Sequence, residues 1–205
     1  IIQRKNITGG TTEKNIEHMK IATGRATELV KQILAFCRQE EQLLVPTNLT
    51  LAVTESIGLL RSTIPTTIEI MNSVESHSIF INANMTQLQQ VVMNLCSNAV
   101  HAIGEKGLLK ITLEEVDLGA HEVPAETAQQ AGRYAKLSII DSGCRMNRET
   151  LGKIFDPFFT TKGVAKGTGM GLSMVHGIVE QFGGFIRVAS TLGQGNFRSL
   201  FSHSR

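Results

Sequence analysis

Asn94 and Asn98 stand four residues apart in a stretch, Gln87 to Ile103, that contains neither Gly nor Pro. At the α-helical period, Gln87, Asn94, Asn98 and His101 gather on one face. Lys and Glu, the usual residues of a helix's wet side, are missing from it. Carboxamides at i and i+4 can offer two amide oxygens to one hard cation, or two NH2 donors to one phosphate, without bringing charge. The plainer alternative is a solvated polar face. Further along, the apolar run Ile139-Ile140 ends on Asp141, followed by Ser142 and Gly143. A carboxylate at the end of a buried strand needs a donor; the alternative is an Asp that caps a turn before Gly. The third group is Lys166-Gly167-Thr168-Gly169-Met170-Gly171-Leu172. Backbone N–H groups of the three glycines, with the N-terminus of a helix starting near Leu172, would make an anion site. Lys162 and Lys166 flank that loop and can fold onto phosphate oxygens. The run is no P-loop, since GxxxxGK[ST] is absent, and a bare GxGxG is as often only a loop.

These residues need elements to hold them. Leu88, Val92, Leu95, Cys96, Ala99, Ala102 and Ile103 share the other face of the Asn helix, which should therefore lie on a sheet. Asn84 can cap it, and Gly104 and Gly107 close it. Leu109 to Val116 alternates, with Lys110, Thr112 and Glu114 on one side, and predicts a strand with one wet face. Tyr134 to Asp141 predicts the next strand, with the polar segment Gly119 to Gly132 an excursion between the two. Leu51 to Ser62 predicts a helix ended by Pro65. Thr66 to Asn72, Ser78 to Asn82, Phe185 to Ala189 and Asn196 to Phe201 read as strands. Leu43 to Asn48, around Pro46, reads as a linker. Asn147 can cap a short helix reaching Phe155, Thr160 to Gly169 reads as a loop, and Met170 to Phe182 reads as a helix. Phe155, Phe158 and Phe159 are expected to pin the loop's base to the core, with Pro157 stiffening it. From Thr11 to about Glu41 the pattern is helical. Its apolar seam at Met19, Ala22, Ala26, Leu29, Ile33 and Phe36 needs a partner helix. The order mixes helices and strands without regular βαβ alternation.

The chain has 205 residues, 41% of them hydrophobic, enough for one core and a smaller appendage. Its net charge is +2, with both signs interspersed, which gives no argument for nucleic acid or an anionic membrane. The three cysteines show no metal-ligand spacing and fit a reducing, cytoplasmic setting. Cys96 reads as a small core hydrophobe. Cys144 is either a reactive thiol or plain packing.

The Asn helix, the Ile139 to Met146 segment with Ile154-Phe-Asp-Pro-Phe-Phe-Thr-Thr-Lys162, and the Lys166 to Ser173 run occur in the order and spacing of the nucleotide site of histidine protein kinases. The chain resembles the ATP-binding half of a two-component sensor kinase, in the superfamily that also holds gyrases, heat-shock chaperones and mismatch-repair proteins. The resemblance implies an α+β fold, a two-layer α/β sandwich of the histidine-kinase ATPase type. It implies that residues 1–45 are a fragment of the dimerisation and phosphotransfer hairpin, and residues 46–205 the catalytic domain. It implies ATP and Mg2+ as ligands: Asn98 and Asn94 toward the metal, and Asp141 toward the adenine amine with Gly143 leaving room for the base. His101 stands near the phosphates, where many members carry Lys, and adds charge there only when protonated. Lys162, Lys166, Gly167, Thr168, Gly169, Gly171 and Leu172 surround the phosphates. It implies as partners a phosphoacceptor helix of the same kinase and a response regulator receiver domain, with homodimerisation through the seam helix. Membrane attachment of the parent protein stays open.

In the family the first hairpin helix carries a His followed by an acidic residue. Here the seam helix lacks that box, Ile1 begins beyond it, and His18 is followed by Met19. The expected product is a catalytic fragment without its own phosphoacceptor. The superfamily's ATPases place Glu, the base that activates water, where Asn94 stands; a carboxamide cannot take that proton. The nucleotide box departs at Arg145, where the family has Gly. Arg there either strains a left-handed turn or shifts the floor under the base. A degenerate nucleotide-binding or protein-interaction module is the alternative that Arg145 raises.

Overall fold

The computed structural model describes residues 15, 16, 19, 23, 44–75, 77–124, 129–162, 168–191 and 194–202. The chain divides into two units, Ile1–Glu41 and Gln42–Arg205. In the first, the four described residues are helical, and Thr23 Oγ1 donates to the Met19 carbonyl at 2.8 Å. The rest of the seam, and His18, lie outside the described residues.

The second unit opens with strand β1 (Val45–Asn48), helix α1 (Leu49–Thr63), strands β2 (Ile68–Val74) and β3 (Phe80–Ala83), and the long helix α2 (Met85–Ile103). It continues with β4 (Gly107–Leu118), β5 (Gly132–Asp141), the single-turn helix α3 (Arg148–Leu151), helix α4 (Gly171–Gln181), β6 (Phe185–Thr191) and β7 (Gln194–Ser202). Five strands form one sheet in the order β2-β4-β5-β7-β6, with β2 parallel to β4 and the other pairs antiparallel. β1 pairs with β3 in a separate antiparallel ribbon, Val45 opposite Ala83. The segment expected to be a linker is thus a strand. Thr47 is buried there, its hydroxyl on the Ala83 carbonyl at 2.9 Å, and Asn48 caps α1 by accepting from Leu51 N at 3.0 Å.

Strand alternation decides which side of the sheet is dry. Leu109, Ile111 and Leu113 of β4 and Ala135, Leu137 and Ile139 of β5 face the helices and are buried, while Lys110 is exposed. Leu88, Val91, Val92, Leu95, Cys96 and Ala99 of α2 fill the same core with Ala52 and Val53 of α1 and Val175 and Val179 of α4. Val91 belongs to this face although the seven-residue stripe read from sequence leaves it out. Burying a Leu or Val here contributes about 1.5–3 kcal/mol, so the helices are held mainly by this one layer. Asn84 caps α2 through Gln87 N at 3.2 Å, and Gly104 ends it at φ +80°. The sheet and its helical layer are the two layers expected. A small second cluster forms where Val123, from the connection between β4 and β5, packs with Tyr134 and Phe185.

Candidate functional site

Continuing the period-two pattern of β5 past Ile139 puts Asp141 on the helix side of the sheet. Its residue is only 3% exposed, and Oδ1 accepts from Gly143 N at 2.8 Å. Ser142 N donates to the Leu108 carbonyl at 3.0 Å, and Cys144 N donates to the Ala102 carbonyl at 3.0 Å. The turn after β5 is therefore fastened to β4 on one side and to the last turn of α2 on the other. A Cβ on Gly143 would lie 2.3 Å from the Ala102 carbonyl carbon. Gly143 does not line the cavity described below. Its lack of side chain serves the contact between this turn and α2.

Arg145 is exposed and does not line the cavity either, although Cys144 and Met146 beside it do. Among the described residues other than Gly, only Phe158 has a positive φ, so Arg145 carries none of the left-handed strain weighed for it from sequence. Met146 N, held on Ser190 Oγ at 2.8 Å, fixes the far side of this turn without calling on a glycine conformation.

A cavity of about 350 Å3 opens between α2, the turn after β5 and the start of α4. Asn98, His101, Asp141, Lys162, Thr168, Gly169, Gly171 and Leu172 line it, so eight of the residues singled out from sequence come together. Lys166 and Gly167 lie outside the described residues. Asn94 stands just behind the wall. Its amide donates to the Gln90 carbonyl of its own helix at 2.9 Å, and its Oδ1 would lie 3.0 Å from a Cβ built on Gly171. The carboxamide face of α2 is thus covered in part by the start of α4, not simply solvated. Lys162 donates to Asn98 Oδ1 at 3.0 Å, and burial lowers the pKa of its ammonium. His101 is exposed, with Nδ1 2.6 Å from the Ser97 carbonyl. Helix α4 begins at Met170 without a side-chain cap, so no side chain of its own occupies the N–H groups of its first turn.

Gly169 and Phe158 meet in a tight backbone contact. Gly169 has φ +70°, and a Cβ there would lie 2.3 Å from the Phe158 carbonyl carbon. Phe158 itself has φ +68° and is 64% exposed, so it does not pin the loop to the core as expected. Phe155 does pack against the core, its ring 4.9 Å from that of His176, and Phe159 lines the cavity. Helix α3 is one turn, shorter than expected, because it ends at Gly152. Cys144, read from sequence as lying inside the site, is on its wall, while sequence reading missed Ser97, Thr160 and Thr161. Helical spacing from Asn94 and Asn98 would have found Ser97; the two threonines carry no signal of their own.

Residues 83–201 match the family described as histidine kinase-, DNA gyrase B-, and HSP90-like ATPase. The chain is 34% identical over 194 residues to "Sensor kinase CckA" of Brucella abortus (strain 2308), covering 91% of this chain and 20% of the relative. It is 33% identical over 201 residues to "Sensor histidine kinase ZraS" of Escherichia coli (strain K12), covering 94% of this chain and 38% of the relative. The crystal structure of histidine kinase ThkA in complex with the response regulator TrrA is similar at a TM-score of 0.69 and 25% identity, over 99% of this chain and 53% of that one. The chain therefore spans well under half the length of the two curated relatives. No helix among the described residues is long and apolar enough to cross a membrane.

Proposed function

The chain belongs to the histidine kinase-, DNA gyrase B- and HSP90-like ATPase family, and on that premise we propose that it binds MgATP and donates the γ-phosphate to a histidine of a sensor kinase's phosphotransfer domain. From that histidine the phosphoryl group would pass to a response regulator. The observation that carries the reading is the convergence of Asp141, Asn98, Lys162 and the uncapped start of α4 on one cavity. Asp141, held by the turn against the last turn of α2, accepts the exocyclic amine of adenine. Asn98 lies four residues before Ala102, the residue of α2 that holds this turn, about 6 Å along the helix axis and toward the phosphate end. There the first turn of α4 and Lys162 meet negative charge with N–H dipoles and an ammonium.

Asn98 Oδ1 already faces a cation, the ammonium of Lys162, so its donor chemistry fits a hard metal ion. Asn98 would hold Mg2+, which supplies charge neutralisation on the phosphates. Asn94 cannot act as a base, and its amide is committed to the Gln90 carbonyl, which favours transfer to an incoming side chain over attack by water. Homodimerisation through the seam helix, and the assignment of residues 1–45 to the phosphotransfer hairpin and 46–205 to the catalytic domain, are part of the same proposal.

The test mixes the chain, labelled MgATP and a separately produced phosphoacceptor hairpin. Acid-labile label on the hairpin, lost with Asn98→Ala, is expected, and no label on this chain alone. Free phosphate without labelled hairpin would favour a hydrolase. Neither binding nor transfer would favour a degenerate module.

A further inference from the structure

Away from the nucleotide cavity, three side chains of different segments meet. Glu75 follows β2, His77 lies in the connection to β3, and Glu115 belongs to β4. One donor atom from each lies within 4.8 Å of the other two. His77 Nε2 is 3.1 Å from Glu75 Oε2 and 3.2 Å from Glu115 Oε2. A ring nitrogen carries at most one proton, and that proton has one direction. The hydrogen bond goes to Glu115. Glu75 Oε2, on the same nitrogen's flank, is a buried oxygen with no hydrogen-bond partner. An unsatisfied buried carboxylate oxygen is costly. A single proton leaves this trio one bond short; a cation in the proton's place would serve both carboxylates and the imidazole at once.

The distances suit that occupant. Zinc-type bonds of about 2.0–2.2 Å separate neighbouring donors by about 3.3–3.6 Å at the tetrahedral angle, and by about 2.8–3.1 Å at the octahedral one. The two separations from His77, 3.1 and 3.2 Å, sit at and just beyond the octahedral range, and the two carboxylate oxygens lie within 4.8 Å of each other.

The ligand-bearing segments are also held independently of the trio. Glu75 N donates to the Leu113 carbonyl at 3.2 Å, which ties the end of β2 to β4. Thr50 Oγ1 donates to the His77 carbonyl at 3.1 Å and accepts from Ile79 N at 3.0 Å, which ties the His77 segment to the start of α1. The arrangement does not depend on the side chains finding one another in solution. An entry path exists: the His77 side chain is 55% exposed. None of the three residues lines the nucleotide cavity.

We propose that Glu75, His77 and Glu115 form a binding site for a divalent first-row transition cation, with water completing the coordination. One imidazole nitrogen and two carboxylate oxygens select Zn2+, Co2+ or Mn2+ over Mg2+, which keeps to oxygen ligands. A bound ion would clamp the connection between β2 and β3 onto β4.

The experiment titrates Zn2+, without nucleotide, into the chain after chelator treatment, by calorimetry and by thermal unfolding. The expected result is one Zn2+ per chain with a raised thermal midpoint. Binding should weaken about tenfold or more in His77→Ala and in Glu115→Gln, and stay unchanged in Asn98→Ala. Because His77 is exposed, its replacement should leave the fold intact, and circular dichroism of the variant checks this. Co2+ adds a second readout: its visible spectrum should show four- or five-coordinate bands that His77→Ala abolishes. Equal Zn2+ affinity in wild type and His77→Ala, or no stoichiometric binding in wild type, overturns the proposal. Full competition by Mg2+ at equal concentration overturns it as well.

Discussion

Replacing Gly169 by Ala should loosen the base of the phosphate loop, and the structure fixes the size of the effect. The added methyl would lie 2.3, 2.5 and 2.7 Å from the carbonyl carbon, carbonyl oxygen and Cα of Phe158. All three are backbone atoms, so no side chain can swing aside. Phe158 is followed by Phe159, whose N–H is held on the Asp156 carbonyl at 3.2 Å, and Gly169 leads into Met170, which is 4% exposed. Neither side yields freely. A left-handed conformation costs an L residue about 1–2 kcal/mol. Overpacking of this kind costs about 1–3 kcal/mol. Together they predict a loss of about 2–5 kcal/mol, or a thermal midpoint lowered by about 4–20 °C for a unit of this size. If the strain is relieved by parting Phe158 from Gly169, the cavity wall at Phe159, Lys162 and Thr168 moves, and MgATP affinity falls instead. Thermal unfolding and calorimetric titration on the same preparation read both outlets. Two controls separate the causes. A Cβ on Gly177 meets nothing within 4 Å, so Gly177→Ala in α4 should be neutral or stabilising by up to about 1 kcal/mol. Phe158→Gly removes the strain at φ +68° but not the backbone contact, and so should stabilise wild type without rescuing Gly169→Ala. A Gly169→Ala protein with both midpoint and affinity at wild-type values refutes the reasoning.

Two further outcomes follow from single side chains. Arg145→Gly should leave MgATP affinity within about threefold, because Arg145 is exposed, lies off the cavity wall and has no positive φ. It should lower stability by about 0.5–1 kcal/mol through the freer unfolded chain; a tenfold gain in affinity would show instead that the arginine obstructs the nucleotide. Burial lowers the Lys162 pKa below 10.5, so the unfolded chain holds that proton more tightly. The penalty is present in full below the lowered folded value and fades as pH rises toward 10.5, so stability gained with rising pH over that window should be smaller in Lys162→Met than in wild type. Parallel pH profiles for the two proteins would exclude it.

Much of the site was legible because its signals are local. The period of α2 separated the core stripe from the carboxamides, Asn84 announced its cap, and the alternation of β5 carried through to the buried Asp141. What escaped depends on partners distant in sequence. Val45-Pro46-Thr47-Asn48 has no alternation and contains Pro; it becomes a strand only because β3 lies beside it. Gly143 is explained by the backbone of Ala102, 41 positions earlier, and Gly169 by that of Phe158. Nothing in a Phe-Phe pair says that the first will be exposed with a positive φ while the second faces a cavity. The Glu75, His77 and Glu115 group was invisible for the same reason: it spans a connection and a strand 38 residues on.

The central claim, that this cavity holds MgATP with adenine on Asp141 and the metal on Asn98, is tested most directly by calorimetric titration of wild type, Asp141→Asn and Asn98→Ala, each with and without Mg2+. In Asp141→Asn the Oδ1 can still accept from Gly143 N–H, so the turn keeps its hydrogen bond while the adenine amine meets an NH2 donor. The account predicts saturable binding in wild type, loss of the heat in Asp141→Asn, and a loss in Asn98→Ala that is larger with Mg2+ than without it. Wild-type binding that survives Asp141→Asn unchanged, or an equal loss in Asn98→Ala with and without Mg2+, would contradict it.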